Sequence, residues 1–168
     1  MTKTSINPSD SLIIQRVFNA SRVLVWKAWT DPSYVSRWWG PKGFSAPHCA
    51  IDLRVGGRIH LCMRSPVGKE YWNSGEFREI VAPERIVWVL WFSDQEGRRQ
   101  PPSHYGFGSD LPDEMVDQLR FEVIGPGRTR LILRRNHSVT IAERYGEIQG
   151  WNESLDRFAS LLADPEQA

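Results

Sequence analysis

Along most of this chain hydrophobic positions recur every second residue, and in two regions they recur every third or fourth. That contrast separates strands from helices. Ile13, Ile14, Val17 and Phe18 give residues 12–19 the branched and aromatic content of a first strand. Ser21 then reads as an N-cap opening a short helix through residue 29, with Val23, Leu24, Val25 and Trp26 inside it. Asp31-Pro32 restarts the chain, because aspartate caps and proline at the first helical position gives up no needed N–H. The second short helix runs to Trp38 or Trp39, where Gly40-Pro41 ends it. Adjacent positions at a helix end point apart, so Trp38 is expected to anchor the helix pair to the sheet and Trp39 to sit at the rim of a concavity.

A long β region follows. Ile51, Leu53 and Val55 alternate with polar residues, and beyond Gly56-Gly57 so do Ile59, Leu61 and Met63. Two period-two runs around a Gly-Gly predict a hairpin. A two-residue loop would pair Leu53 with His60 and mix the faces. An odd loop or a bulge pairs Leu53 with Ile59 and Ile51 with Leu61, so face matching favours the odd count. In that register Cys49 and Cys62 point to opposite faces and form no disulfide. Residues 70–81 and 85–92 read as the next two strands, turned at Ala82-Pro83, with Gly75 marking a bend or a close approach of backbone. Residues 119–124 and 129–134 make a last hairpin around Gly125-Pro126-Gly127.

Between these strands lies 93–117, a polar, proline- and glycine-rich stretch too long for an ordinary connection. It reads either as a mobile surface loop or as a lid, the second because Tyr105, Phe107, Leu111 and Met115 are costly to leave in water. The final element is a helix over 140–163. Thr140 and Glu143 form a capping box, and Ile141, Tyr145, Ile148, Trp151, Leu155, Phe158 and Leu162 recur at steps of three and four. The order predicts an α+β protein: a consecutive antiparallel sheet of six or seven strands, two short helices after the first strand, and a long helix whose apolar face must cover the sheet.

Length and charge narrow the class. The chain has 168 residues, enough for one domain over 12–163 between a flexible start, 1–11, and a short tail, 164–168. Lys and Arg number 21 against 20 Asp and Glu, so no basic field invites nucleic acid. No apolar run is long enough to span a membrane. The start lacks a secretory pattern and two cysteines suit a reducing compartment, so a cytoplasmic location is expected.

The stretches RVFNASRVLVWKAWTDPSYVSRWWGPKGF (16–44), DLRVGGRIHLCM (52–63), GEFREIVAPERIVW (75–88), LPDEM (111–115) and GWNESLDRFASLLA (150–163) together make a further point. In this order the chain resembles the START-like, birch-pollen-allergen-like superfamily. Within it, it is similar to the bacterial branch related to the C-terminal domain of the activator of the 90-kDa heat-shock-protein ATPase. The resemblance implies a helix-grip fold, a curved sheet holding the C-terminal helix with a cavity between them. It implies hydrophobic-ligand (including lipid) binding, cyclase- or hydrolase-type chemistry in some relatives, and, by the family's name, a chaperone partner and a stress response.

The residues themselves support a cavity. Trp72, Trp88, Trp91 and Trp151 fall on inner-sheet candidates and the facing helix, and aromatic concavities with few polar groups are the usual small-molecule site. With Trp39 at the rim, Tyr105 and Phe107 on the lid, and Tyr145 and Ile148 on the helix, these residues form the expected ligand-binding set. Catalytic and metal patterns are scarcer. The four histidines show no metal spacing, and no phosphate loop or nucleophile elbow occurs, so no metal or cofactor is expected. His60 and Glu76 are the candidate proton carriers, but no second group can be assigned to either. Binding of a hydrophobic or aromatic small molecule therefore ranks first, a cyclase- or hydrolase-type enzyme second and a co-chaperone third. A homodimer stays open as an arrangement.

Overall fold

The computed structural model describes residues 11–164, so the first ten residues of the expected flexible start and residues 165–168 of the tail lie outside the described residues. The strands are β1 (Ser11–Phe18), β2 (Ser45–Ile51), β3 (Arg58–Arg64), β4 (Glu70–Val81), β5 (Arg85–Ser93), β6 (Met115–Gly125) and β7 (Arg128–Ser138). They form one antiparallel, curved sheet of seven strands in the order β1-β7-β6-β5-β4-β3-β2. Helices α1 (Arg22–Thr30) and α2 (Pro32–Trp38) follow β1, and α3 (Val139–Arg144) and α4 (Glu147–Leu162) close the chain. The fold is the expected α+β helix grip.

The short helices form where their caps dictate. The Ser21 hydroxyl accepts from the Leu24 N–H, and the Asp31 carboxylate accepts from the Ser33 N–H with Pro32 at the first position. On the inner side of the sheet, Leu61, Phe77, Trp88, Leu90, Leu119, Phe121, Leu131 and Leu133 are buried. The α4 residues Trp151, Leu155, Phe158 and Leu161 come down on this side. The Phe158 ring lies 5.0 Å from Phe18, 5.6 Å from Trp29 and 4.9 Å from Trp38, all edge to face. Each such pair adds about 0.5–1.5 kcal/mol beyond area burial, so α4 is fixed chiefly by rings.

Trp38 is fully buried and its Nε1 donates to the Ala28 carbonyl at 2.9 Å, tying α2 to α1. Trp39 is buried as well, which corrects the expectation that only one of the pair can turn inward. It is the C-cap, and its ψ of 123° swings the chain out of the helix, so the rule for successive helical positions does not reach it.

Three further differences concern the connections. The β2–β3 pair aligns Ile51 with Ile59 and Cys49 with Leu61, not Ile51 with Leu61. Residues 52–57 form the turn instead, because Gly56 and Gly57 hydrogen-bond the Phe77 backbone of β4, leaving Leu53 and Val55 exposed. Both cysteines are free. The expected single helix over 140–163 is two helices: Gly146 has φ 69°, a conformation only glycine adopts cheaply, and Ser138 rather than Thr140 caps the first. Finally, β6 and β7 run several residues beyond the expected 119–124 and 129–134.

Candidate functional site

A cavity of about 320 Å³ lies between the inner side of the sheet and α4. Pockets that take drug-sized molecules run from about 300 to 1,000 Å³. Trp39 enters from the end of α2, and the chain there is held by Arg157, whose Nη1 donates to the Gly40 carbonyl at 2.8 Å. From the sheet come Met63, Tyr71, Asn73, Leu90, Phe92, Met115 and Arg135. Phe107 and Leu111 close one side from the segment after β5, and α4 contributes Glu147, Gly150, Trp151 and Ser154, one face at helical spacing. Gly75 allows β4 and β5 to approach here: a Cβ on it would fall 2.1 Å from the Val89 carbonyl oxygen.

One wall of this aromatic chamber is charged. Arg135 donates from Nε and Nη2 to both oxygens of the fully buried Asp117, each at 2.7 Å. Its Nη1 donates to Glu147, whose other oxygen meets His137 Nε2. Trp88 Nε1 donates to Asp117 at 2.8 Å, and the guanidinium sits 5.4 Å from the Trp151 ring. Burial alone would raise the Glu147 pKa, but the Arg135 charge and the His137 hydrogen bond outweigh it and hold the carboxyl at about 2. The Arg135 guanidinium is pushed up by the same two carboxylates against its own burial. A single guanidinium thus links β6, β7 and the first turn of α4, and Gly146 is what starts that helix at Glu147.

Of the expected ligand set, Trp39, Phe107, Tyr145 and Trp151 line the cavity. Trp88 is on the inner side but packs behind them, against Trp29, Trp39 and Phe77. Tyr105 is buried beside the chamber: its hydroxyl donates to the Ser93 carbonyl and accepts from the Trp72 N–H, pinning the segment after β5 to the end of the β4–β5 ladder. Ile148 is half-buried on α4 and packs on the core without lining the cavity.

Trp72 and Trp91 lie on the opposite, convex side, and their expected place in the concavity is corrected by parity. In β4, Asn73 lines the cavity and Phe77 is buried in the core, which turns Trp72 outward; in β5, Leu90 and Phe92 do the same to Trp91. Trp91 is nevertheless buried, under the guanidiniums of Arg99 at 4.3 Å and Arg58 at 5.9 Å. Trp72 stacks with His60 at 4.9 Å and His48 at 5.4 Å. His60 and Glu76 share this outer side, and Glu76 pairs with Arg78 at 3.0 Å, so neither candidate proton carrier reaches the cavity. Burial lifts the thiols of Cys49 and Cys62 to about 12, which removes them as nucleophiles at neutral pH.

The segment 93–117 is less loose than its composition suggests. Ser93 bridges to Arg99, Asp94 accepts from the N–H groups of Glu96 and Arg98, and a short 3-10 helix spans Pro102–Tyr105. Its far end is latched to the α3–α4 joint, where Asp110 meets both Arg144 and the Tyr145 hydroxyl, and Gly108 N–H donates to that hydroxyl at 3.0 Å.

Residues 19–163 match the family described as Activator of Hsp90 ATPase homolog 1-like protein. The chain belongs to this family. Solved structures similar to this family member include protein NE0264 from Nitrosomonas europaea, 24% identical with a TM-score of 0.77 over 97% of this chain and 100% of that one. Ms6760 from Mycobacterium smegmatis is 23% identical, with a TM-score of 0.75 over 96% of each chain. The AHSA1 protein from Silicibacter pomeroyi is 25% identical, with a TM-score of 0.70 over 91% of this chain and 97% of that one. A comparison with curated proteins finds no match. Among the described residues no helix is long and apolar enough to cross a membrane, and no cluster of three or more His, Cys, Asp and Glu side chains could hold a metal ion.

Proposed function

We propose that this family member binds a hydrophobic or aromatic small molecule between the sheet and α4 and carries it without chemical change. The observation that carries the reading is the chamber itself, about 320 Å³ in size and walled by Trp39, Tyr71, Phe92, Phe107, Tyr145 and Trp151. Packed interiors leave few voids larger than a water molecule, so a ring-lined space of this size is a departure from core packing that an apolar ligand would relieve. The charged wall favours binding over catalysis. Both Glu147 oxygens are engaged, and a carboxyl held at about 2 is a poor base near neutral pH. We take the side lined by Phe107 and Leu111 as the entrance, since it comes from the segment that the Asp110 contacts with Arg144 and Tyr145 hold in place. A co-chaperone role rests on the family's description alone, whereas ligand binding rests on named side chains.

The test is tryptophan fluorescence titrated with the neutral probe N-phenyl-1-naphthylamine, on the unaltered protein and on Ser154→Leu. Ser154 lines the cavity and, among the described residues, its hydroxyl bonds only its own helix, at the Gly150 carbonyl. Saturable quenching is expected, and at least a tenfold weaker affinity in the variant. Absence of saturation, or equal affinity in both, would refute the reading.

A further inference from the structure

Asn73 is an anomaly in the chamber. It is 8% exposed, it stands among Tyr71, Leu90 and Phe92, and its Nδ2 reaches the Trp91 carbonyl at 3.5 Å. Its Oδ1 accepts no hydrogen bond among the described residues. That oxygen is not sealed off, unlike the unpartnered Trp29 Nε1 and His137 Nδ1, so it is open to a donor in the chamber, and strands offer many apolar residues that would fill the same place. Across the chamber Arg135 has the opposite need. Three of its five N–H groups are used by Asp117 and Glu147, and the remaining two belong to a residue that lines the cavity.

These two groups stand at opposite ends. Asn73 is on β4 and Arg135 on β7, with β5 and β6 between them. By register Arg135 is level with Phe77, so three strand spacings across and four residues along amount to about 19 Å on a flat sheet, shortened where it curves. The positive charge at the Arg135 end is already more than matched. Asp117 and Glu147 both face the one guanidinium, so an acidic ligand would add a third negative charge and a basic one would meet Arg135.

We propose that the cavity selects a neutral, two-ended ligand: a flat apolar frame with a hydroxyl or N–H donor at Asn73 and a carbonyl or hydroxyl acceptor at Arg135. This rests on the carrier reading and narrows its ligand class. A hydroxyl at one end satisfies the Asn73 oxygen, an oxygen at the other takes the free N–H groups, and the rings between them supply the apolar contact.

Calorimetric titration of the unaltered protein with a matched naphthalene series tests it, at a pH below the pKa of the naphthol. The series is 6-hydroxy-2-acetonaphthone, 2-acetonaphthone, 6-ethyl-2-naphthol, 2-ethylnaphthalene and 6-hydroxy-2-naphthoate. The hydroxyketone is expected to bind about tenfold tighter than either compound lacking one oxygen, which is about 1.4 kcal/mol per group. The carboxylate is expected to bind weakest of the oxygenated compounds. Asn73→Leu should erase the preference for the hydroxyl and leave 2-acetonaphthone within about twofold, a difference too small to reflect a lost group. Equal affinity across the series would overturn this inference and leave the carrier reading standing. Tightest binding of the carboxylate would overturn neutrality, and binding by none of the five would overturn the carrier reading itself. The series is decisive on the unaltered protein, so it does not depend on the variant folding.

Discussion

Replacing Arg135 by methionine keeps most of the apolar stem and removes the one cation shared by Asp117 and Glu147. The variant strands two carboxylates, one fully buried and one with a side chain 15% exposed. Breaking a buried ion pair from one side costs about 3–5 kcal/mol. Whole domains are stable by only about 5–15 kcal/mol, so the loss should be large but survivable. With a urea slope near 2 kcal/mol per M, the unfolding midpoint should fall by about 2 M. The pH dependence discriminates further. In the parent, the Glu147 pKa of about 2 is depressed relative to an unfolded value near 4.3. Its contribution is therefore fully present above about pH 5 and lost as pH falls through about 2. In Arg135→Met the depression weakens, because at Glu147 burial is then opposed by the His137 contact alone. Less stability is then lost as pH falls from about 5 toward 2, so the pH slope flattens. Urea melts at several pH values read both effects. A midpoint shift below about 0.5 M with the parental pH slope would show that the three side chains are not mutually dependent, and the reasoning would fail.

Two other outcomes follow from the cavity's surroundings. Gly150→Ala should raise stability by about 0.5–1 kcal/mol by thermal or urea melting, since alanine favours the helix and its Cβ would meet Pro41 at an ordinary 3.5 Å; a lower midpoint would mean that the Pro41 corner cannot yield. Asp110→Ala should change stability by no more than about 1 kcal/mol, as expected of an exposed ion pair, yet speed probe dissociation several-fold in stopped flow by opening the Phe107 side; an unchanged rate would reduce the latch to a surface contact.

How far the sequence could be read depends on which interactions are local. Caps act within a turn, so Ser21 and Asp31-Pro32 located α1 and α2 closely. The β4–β5 hairpin was equally legible, because its strands are long and its turn is marked by Ala82-Pro83. The β2–β3 turn was misread because its glycines answer to Phe77 on a third strand, a contact no local pattern carries. The break at Gly146 was hidden for a related reason. The apolar steps of three and four continue across it, and a single glycine inside such a pattern is normally tolerated.

The charged wall was missed although its signal lay in the strand pattern. In β7, Thr129, Leu131 and Leu133 turn inward, and the same alternation carried two steps further places Arg135 and His137 on the inner side. In β6, Leu119 and Phe121 imply Asp117 in the same way. The expected strands stop short of both groups, the first beginning after Asp117 and the second ending before Arg135. Parity is the stronger rule here: one residue's slip would turn a whole strand inside out, whereas a buried charge costs little once its partners arrive from neighbouring elements. Applied consistently, parity also turns Trp72, Trp91, His60 and Glu76 outward and brings Asn73 in. The residues that depart from their class, polar groups on the apolar side and tryptophans on the wet one, are thus where the chain's own chemistry is concentrated. The inward polar set defines the proposed ligand, while outside Trp91 is covered by Arg58 and Arg99, Trp72 packs on His48 and His60, and neither ring lines the chamber.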